Sequence, residues 1–208
     1  MAIQTSTDRK NRMKWYPVIA TKDFQEMSLG ETLAEEPEEL IGRHLHLNLM
    51  MLLNDPKKQS ITVHFEIKEV KGDTGVASLV HYELNSSFLK RLVRKTSNKV
   101  EESYAFTTKD GQQCRIKPVL FTRYKVNNST LTSLRKKSQE HLHHLFQQYS
   151  LAELFSLIMS NKLQMELKSA LKKIYPVASC EIKSFYTETL SATKNKAQQK
   201  TSPAAETP

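Results

Sequence analysis

The chain has 208 residues, 38% hydrophobic and 25% charged, with 31 Lys and Arg against 22 Asp and Glu for a formal net charge of +9. That length and apolar content suit one ordinary globular domain or two small ones, and the basic excess points to a polyanionic partner. Five glycines leave no glycine-rich phosphate cradle, and two distant cysteines, Cys114 and Cys180, no disulfide framework or zinc ribbon; with no membrane-length apolar run and no apolar signal core, the chain is expected to be reduced and cytoplasmic, with no membrane contact.

The first 13 residues are polar and basic and are expected to form an arm. Arg9, Lys10, Arg12 and Lys14 adjoin Trp15 and Tyr16, a mixture of charge and stacking surface that suits RNA. Packing of the two aromatics into the first strand is the alternative. Glu31 to Glu39 then holds five acids and no base. A solvated loop, or a face meeting a basic neighbour, explains it; carboxylates serving a metal-dependent nuclease are the sharper alternative.

Alternation follows. In RHLHLNLMMLL, Leu45, Leu47, Leu49, Met51 and Leu53 share one face, and His44, His46 and Asn48 the other. In ITVHFEIKEV, Ile61, Val63, Phe65 and Ile67 alternate with polar residues. Period two over such spans predicts strands. VASLVHYEL continues the pattern after a KGDTG turn.

The stretch SSFLKRLVRKTSNKVEE is different. On a helical wheel with Phe88 at 0°, Leu92, Leu89 and Val93 fall at roughly 40°, 100° and 140°, whereas Lys90, Arg94, Arg91 and Lys95 occupy roughly 200° to 340°. A helix through these residues has an apolar half and a cationic half. Four like charges without interleaved acids repel one another and call for an anionic partner.

Two further strands are expected in KVEESYAFTTK and QQCRIKPVLFTRY, joined at Asp110-Gly111 by a type I′ hairpin turn. The second puts Arg115 and Lys117 on one face, with Arg123 and Lys125 at the same parity. The period then becomes helical from about Ser129 to Gln148, carrying Arg135, Lys136 and Lys137 on the way. SLAE at Ser150 to Glu153 is a capping box opening a second helix, and Leu163 to Ile174 gives a third, stopped by Pro176. VASCEIKSFYTETL closes as a strand, and Ser191 to Pro208 is a low-complexity tail expected to be disordered. The predicted fold is α+β: an antiparallel β-barrel-like body with an inserted basic helix and a C-terminal helical block, in one domain over 14–190.

Catalytic signatures are weak. His44, His46 and His64 have a spacing that zinc could use, as have His141 and His144 at i,i+3, but polar outer-face residues explain both groups. No nucleophile elbow or Cys-X-X-Cys is present. The expectation is therefore no enzyme, no metal and no cofactor, with phosphate contacts that position the chain on a large folded RNA. A nuclease using the histidines or the acidic segment is the alternative.

Read in order, KWYPVIA, LGETLAEEPEELIGR, VKGDTG, FLKRLVRKTSNKVE, TTKDGQQCRIKPVLFT and LKKIYPV resemble the small-subunit ribosomal protein family called eS-one, or S-three-a-e, in its archaeal form. The resemblance runs from about Lys14 to Leu190. It implies a structural protein of the ribosomal platform, near the 3′ end of the small-subunit rRNA and the mRNA exit, beside other platform proteins. On that basis Lys90, Arg91, Arg94, Lys95 and Lys99 would meet rRNA phosphates, with Arg115, Lys117 and Arg123 on a basic hairpin strand.

Overall fold

The computed structural model describes residues 13–21, 24 and 26–187. The predicted basic arm up to residue 12 and the predicted tail lie outside the described residues. The chain divides into two compact units, Met1–Tyr82 and Glu83–Pro208. Among the described residues there are nine strands and five α-helices, so the fold is α+β. No helix among them is long and apolar enough to cross a membrane.

In the first unit, β1 (Lys14–Ala20), β2 (Ser28–Ala34), β3 (His44–Asn48), β4 (Ile61–Lys71) and β5 (Thr74–Leu84, its last two residues in the second unit) are ordered β2-β1-β5-β4-β3. Ile61, Val63, Phe65 and Ile67 are all buried, as their alternation requires. The turn into β5 relies on Gly72 at φ 63°, which a β-carbon would strain.

Two expectations need correction here. The body is not purely antiparallel: β1 runs parallel to β5, Val18 opposite Gly75. Nor do the strands close into a barrel, because no pairing joins β2 to β3 among the described residues. Instead the Arg43 guanidinium, just before β3, donates to the Leu33 carbonyl of β2 at 2.6 Å and to Thr32 Oγ1 at 3.3 Å. A side chain takes the acceptor that a further strand would need.

The leucine run is also shorter as a strand than its alternation suggests. Asn48 ends β3 and its side chain accepts from Met50 N–H at 2.9 Å, opening α1 (Leu49–Leu53). Leu and Met are strong helix formers, so the cap decides the outcome. Only Leu49 of the five is buried.

The second unit holds α2 (Ser86–Leu92), β6 (Lys99–Glu101), β7 (Tyr104–Thr107), β8 (Gln113–Thr122), α3 (Asn128–Gln148), α4 (Leu151–Met159), α5 (Lys162–Lys172) and β9 (Val177–Thr187). β8 is central, with β9 on one side and both β6 and β7 on the other. One predicted strand is thus two, broken at Glu102-Ser103 opposite the register shift at Lys117/Pro118, where proline offers no N–H to the ladder.

The hairpin turn is not type I′. Only Gly111 has positive φ, at 75°, and Thr108 N–H donates to Gln112 C=O at 3.0 Å while Gly111 N–H donates to Thr108 C=O at 2.9 Å. That is a three-residue loop in which a type I turn precedes a left-handed glycine. Asp110 is thereby free to accept from Leu151 N–H at 3.0 Å, at the start of α4. The capping box is present there too: Ser150 N–H donates to Glu153 Oε2 at 2.8 Å. Phe106, Phe146, Phe185 and Phe155 succeed one another at centroid distances of 5.1, 5.8 and 4.7 Å and form the aromatic spine of this unit's core.

Candidate nucleic-acid interface

The basic helix is shorter than its wheel implies. Asn85 caps α2 by accepting from Ser87 N–H at 3.0 Å, but Val93 is already extended at φ −72°, ψ 127°. Ser97 N–H and its hydroxyl then both donate to the Arg94 carbonyl at 3.2 Å, fixing a turn. Leu89 alone is buried; Phe88 and Leu92 are half-buried and Val93 is 51% exposed. Arg94 and Lys95 therefore project from the turn, not from a helix face. Lys90 and Arg91 remain on α2, both exposed, with the Arg91 guanidinium 5.6 Å from the centroid of the Phe88 ring.

This turn is fastened to a second basic segment. Asn98 N–H donates to Thr122 Oγ1 at 2.8 Å, and Thr122 N–H donates to Asn98 C=O at 3.0 Å. The Asn98 side chain accepts from Val126 N–H at 2.9 Å, and the Thr122 hydroxyl donates to the Tyr124 carbonyl at 2.8 Å. Arg123, Tyr124 and Lys125 are thus held beside the turn that carries Arg94 and Lys95. All four cations are exposed and make no ion pair among the described residues. Tyr124, between two of them, is 64% exposed.

Arg123 and Lys125 do not continue the face of Arg115 and Lys117, as strand parity suggested. The register shift at Lys117/Pro118 intervenes, Val119 and Phe121 are buried, and β8 ends at Thr122. Arg115 and Lys117 are half-buried in the sheet, Arg115 opposite Tyr186 in the ladder, and Lys117 Nζ lies 5.4 Å from the Tyr186 ring centroid.

Three other predicted cations, Lys99, Arg135 and Lys137, have carboxylate partners. Lys99 lies 2.5 Å from Glu101, which Lys183 also contacts, and hydrogen bonds from Lys183 and then Lys99 hold the Glu101 carboxyl below its usual range. Arg135 Nε is 2.5 Å from Glu102, and Lys137 is 3.2 Å from Glu140. Lys136, exposed on α3, has no such partner among the described residues. Lys14 is exposed at the start of β1, where Trp15 and Tyr16 part company: Trp15 is 66% exposed and Tyr16 is buried. Arg9, Lys10 and Arg12 lie outside the described residues.

The histidine groups are assembled differently from their spacing. His46 stands opposite His64 with ring centroids 4.1 Å apart, but His44 faces Glu66, and the next imidazole in the row is His81 of β5, 4.6 Å from His64. Sequence reasoning passed over His81, although VHYEL places it on the polar side of its strand. His141 points to Glu166 at 3.7 Å and His144 to Gln148 at 3.4 Å, so these two do not converge on a shared ligand. The acidic segment begins on β2, at Glu31, and ends in a 3-10 turn, Pro37–Leu40, whose Glu39 lies 3.7 Å from Arg43. Its carboxylates form no three-ligand cluster among the described residues. Cys114 and Cys180 are both buried and unpaired with each other, and burial pushes the Cys180 thiol up to about 12.

A family model described as the Ribosomal S3Ae family matches residues 2–189. Among curated relatives, the "Small ribosomal subunit protein eS1" of Desulfurococcus amylolyticus is 31% identical over 175 residues, covering 84% of this chain and 82% of the relative. The protein of the same name from Saccharolobus islandicus is 33% identical over 178 residues, 86% of each chain. That from Saccharolobus solfataricus is 33% identical over 175 residues, 84% of each.

Proposed function

We propose that this chain, which belongs to the Ribosomal S3Ae family, is a structural constituent of the small ribosomal subunit, the assembly for which its curated relatives are named. It works by neutralising rRNA phosphates. The observation that carries this mechanism is the paired basic segments: Arg94 and Lys95 on one turn, Arg123 and Lys125 on the other, tied through Asn98 and Thr122 and without carboxylate partners among the described residues. Uncompensated, exposed cations release counterions on meeting phosphates, whereas a cation already paired must first surrender its carboxylate.

The other contacts rank by the same argument. Lys90, Arg91, Lys136 and Lys14 are exposed and add to the phosphate surface. Arg9, Lys10 and Arg12, outside the described residues, are further candidates for phosphate contact. Lys99, Arg135 and Lys137 serve RNA only by exchanging partners, and Arg115 and Lys117 only from within the sheet. The matched span runs through both units, which supports treating 14–190 as one ribosomal-protein domain. The resemblance supports a place on the platform near the rRNA 3′ end and mRNA exit, among other platform proteins, in a cytoplasmic ribosome. Membership of a ribosomal-protein family supports a structural, non-enzymatic role over the nuclease alternative. Sedimentation tests the proposal: a tagged copy of the full chain should travel with small subunits through a sucrose gradient at moderate salt. Recovery only at the top of that gradient would refute it.

A further inference from the structure

We infer that Tyr124 is a stacking platform for an unpaired RNA base, so that the paired basic segments take single-stranded RNA in preference to a continuous duplex; this rests on the rRNA-binding proposal and specifies its ligand. Tyr124 is 64% exposed, so its ring is available as an apolar face with a polar tip for a partner to cover. The backbone on both sides of it is pinned, its own carbonyl by the Thr122 hydroxyl at 2.8 Å and the amide of Val126 by Asn98 Oδ1 at 2.9 Å. The ring is therefore presented from a fixed frame, and little chain entropy is lost when a base settles on it.

The surroundings decide what the partner is. Arg123 and Lys125 flank the ring in sequence, and the Asn98–Thr122 hydrogen bonds bring the Arg94 and Lys95 turn alongside. Protein interfaces are poor in lysine at their centres, and four cations with no acid among them would burden an apolar contact. An unpaired nucleotide needs this combination: an aromatic face for the base and cations for the phosphates before and after it. A base inside a duplex is already stacked on both faces and has none to offer.

The test compares the full chain with Y124A, Y124F and R123A/K125A for binding to a single-stranded oligonucleotide and to a duplex of equal length, across a salt series. Stacking predicts that Y124A weakens single-strand binding about 5- to 150-fold while the dependence of log K on log salt keeps its slope. Y124F restores most of the loss, because the ring and not the hydroxyl carries it. R123A/K125A should instead flatten the slope by about 1 to 2. Duplex binding should change less than twofold in Y124A. Wild-type affinity in Y124A, or equal losses on both substrates, would overturn the inference while leaving rRNA binding in place. Failure of the unaltered chain to bind either substrate would instead remove the proposed function and the inference with it. Tyr124 is exposed, so a melting curve coinciding with wild type is expected and shows that any loss is not unfolding.

Discussion

Replacing the four cations of the paired segments, which have no carboxylate partner among the described residues, as R94Q/K95Q/R123Q/K125Q, measures how much of the RNA affinity those segments supply. Each phosphate neutralised contributes about 0.7 to the salt slope for a single strand and about 0.9 for a duplex. If every one of the four meets a phosphate, the slope of log K against log salt should flatten by about 3. Over the fourfold change from about 50 to about 200 mM salt, wild type would then lose about 50- to 150-fold more affinity than the variant. The companion K99Q/R135Q/K137Q removes nearly as many cations, but each has a carboxylate within 3.2 Å, namely Glu101, Glu102 or Glu140. An exposed ion pair holds little energy, yet breaking it offsets part of each phosphate contact, so this triple variant should shift the slope by less than about 1. Filter binding or fluorescence anisotropy against a fragment of small-subunit rRNA reads both slopes. Equal flattening by the two variants, or none by the quadruple one, would show that carboxylate pairing does not sort the cations and that the segments are not the interface.

Stability measurements test the packing and the buried charges. Leu89 is the buried residue of α2, so L89A should cost about 2–3 kcal/mol in urea unfolding, whereas L92A, at a half-buried position, should cost about 1 kcal/mol; a larger loss in L92A would mean that α2 continues further and packs by its wheel. Glu101 and Glu181 should respond to pH with opposite sign. The Glu101 carboxyl is held below its ordinary 4.5 by Lys183 and Lys99, so its stabilisation is present above 4.5 and disappears as pH falls through the lower folded value. Burial raises the Glu181 carboxyl, with Lys168 opposing, so ionising it destabilises the fold progressively as pH rises from 4.5 through the raised value. At about pH 7, E101Q should therefore lose stability by less than about 1 kcal/mol and E181Q should gain it, both differences vanishing in acid below both carboxyl values. Denaturant midpoints that move the same way in both variants would contradict the assigned causes.

What the sequence discloses depends on whether one period alone is compatible with a stretch. ITVHFEIKEV admits only a strand, and its four apolar residues are buried as alternation demands. The long α3 and the capping box at Ser150 are similarly unambiguous, since the helical period or the reciprocal hydrogen bonds have no competing structure. RHLHLNLMMLL is different, because leucine and methionine fit either period and one asparagine side chain settles the matter at Asn48. α2 stops at Leu92, before the turn-forming run Thr96-Ser97-Asn98, and the segregated wheel of Phe88 to Lys95 gives no sign of that early stop on sequence alone. Glu140 beside Lys137 is an i,i+3 pair that the sequence exposes. The Glu102–Arg135 pair joins residues far apart in the chain and is readable only in three dimensions.

The same limit hides Tyr124. As the end of a strand, Arg123 and Lys125 belong with Arg115 and Lys117, and the tyrosine between them takes the opposite face with nothing to single it out. Pro118 undoes that parity: the register shifts beside it, both faces of β8 become buried, and the strand ends at Thr122. Past Thr122 the chain enters a turn whose direction is set by Asn98, from 24 residues earlier in the chain. Two short basic segments, each unremarkable as a charge run, become one surface because a threonine and an asparagine exchange hydrogen bonds beneath them. A long amphipathic helix would have spread its cations along one line and matched a uniform run of phosphates. On the proposed reading, two turns beside an exposed ring suit a place where the RNA backbone bends and a base is free, and stacking on such a ring tolerates any base.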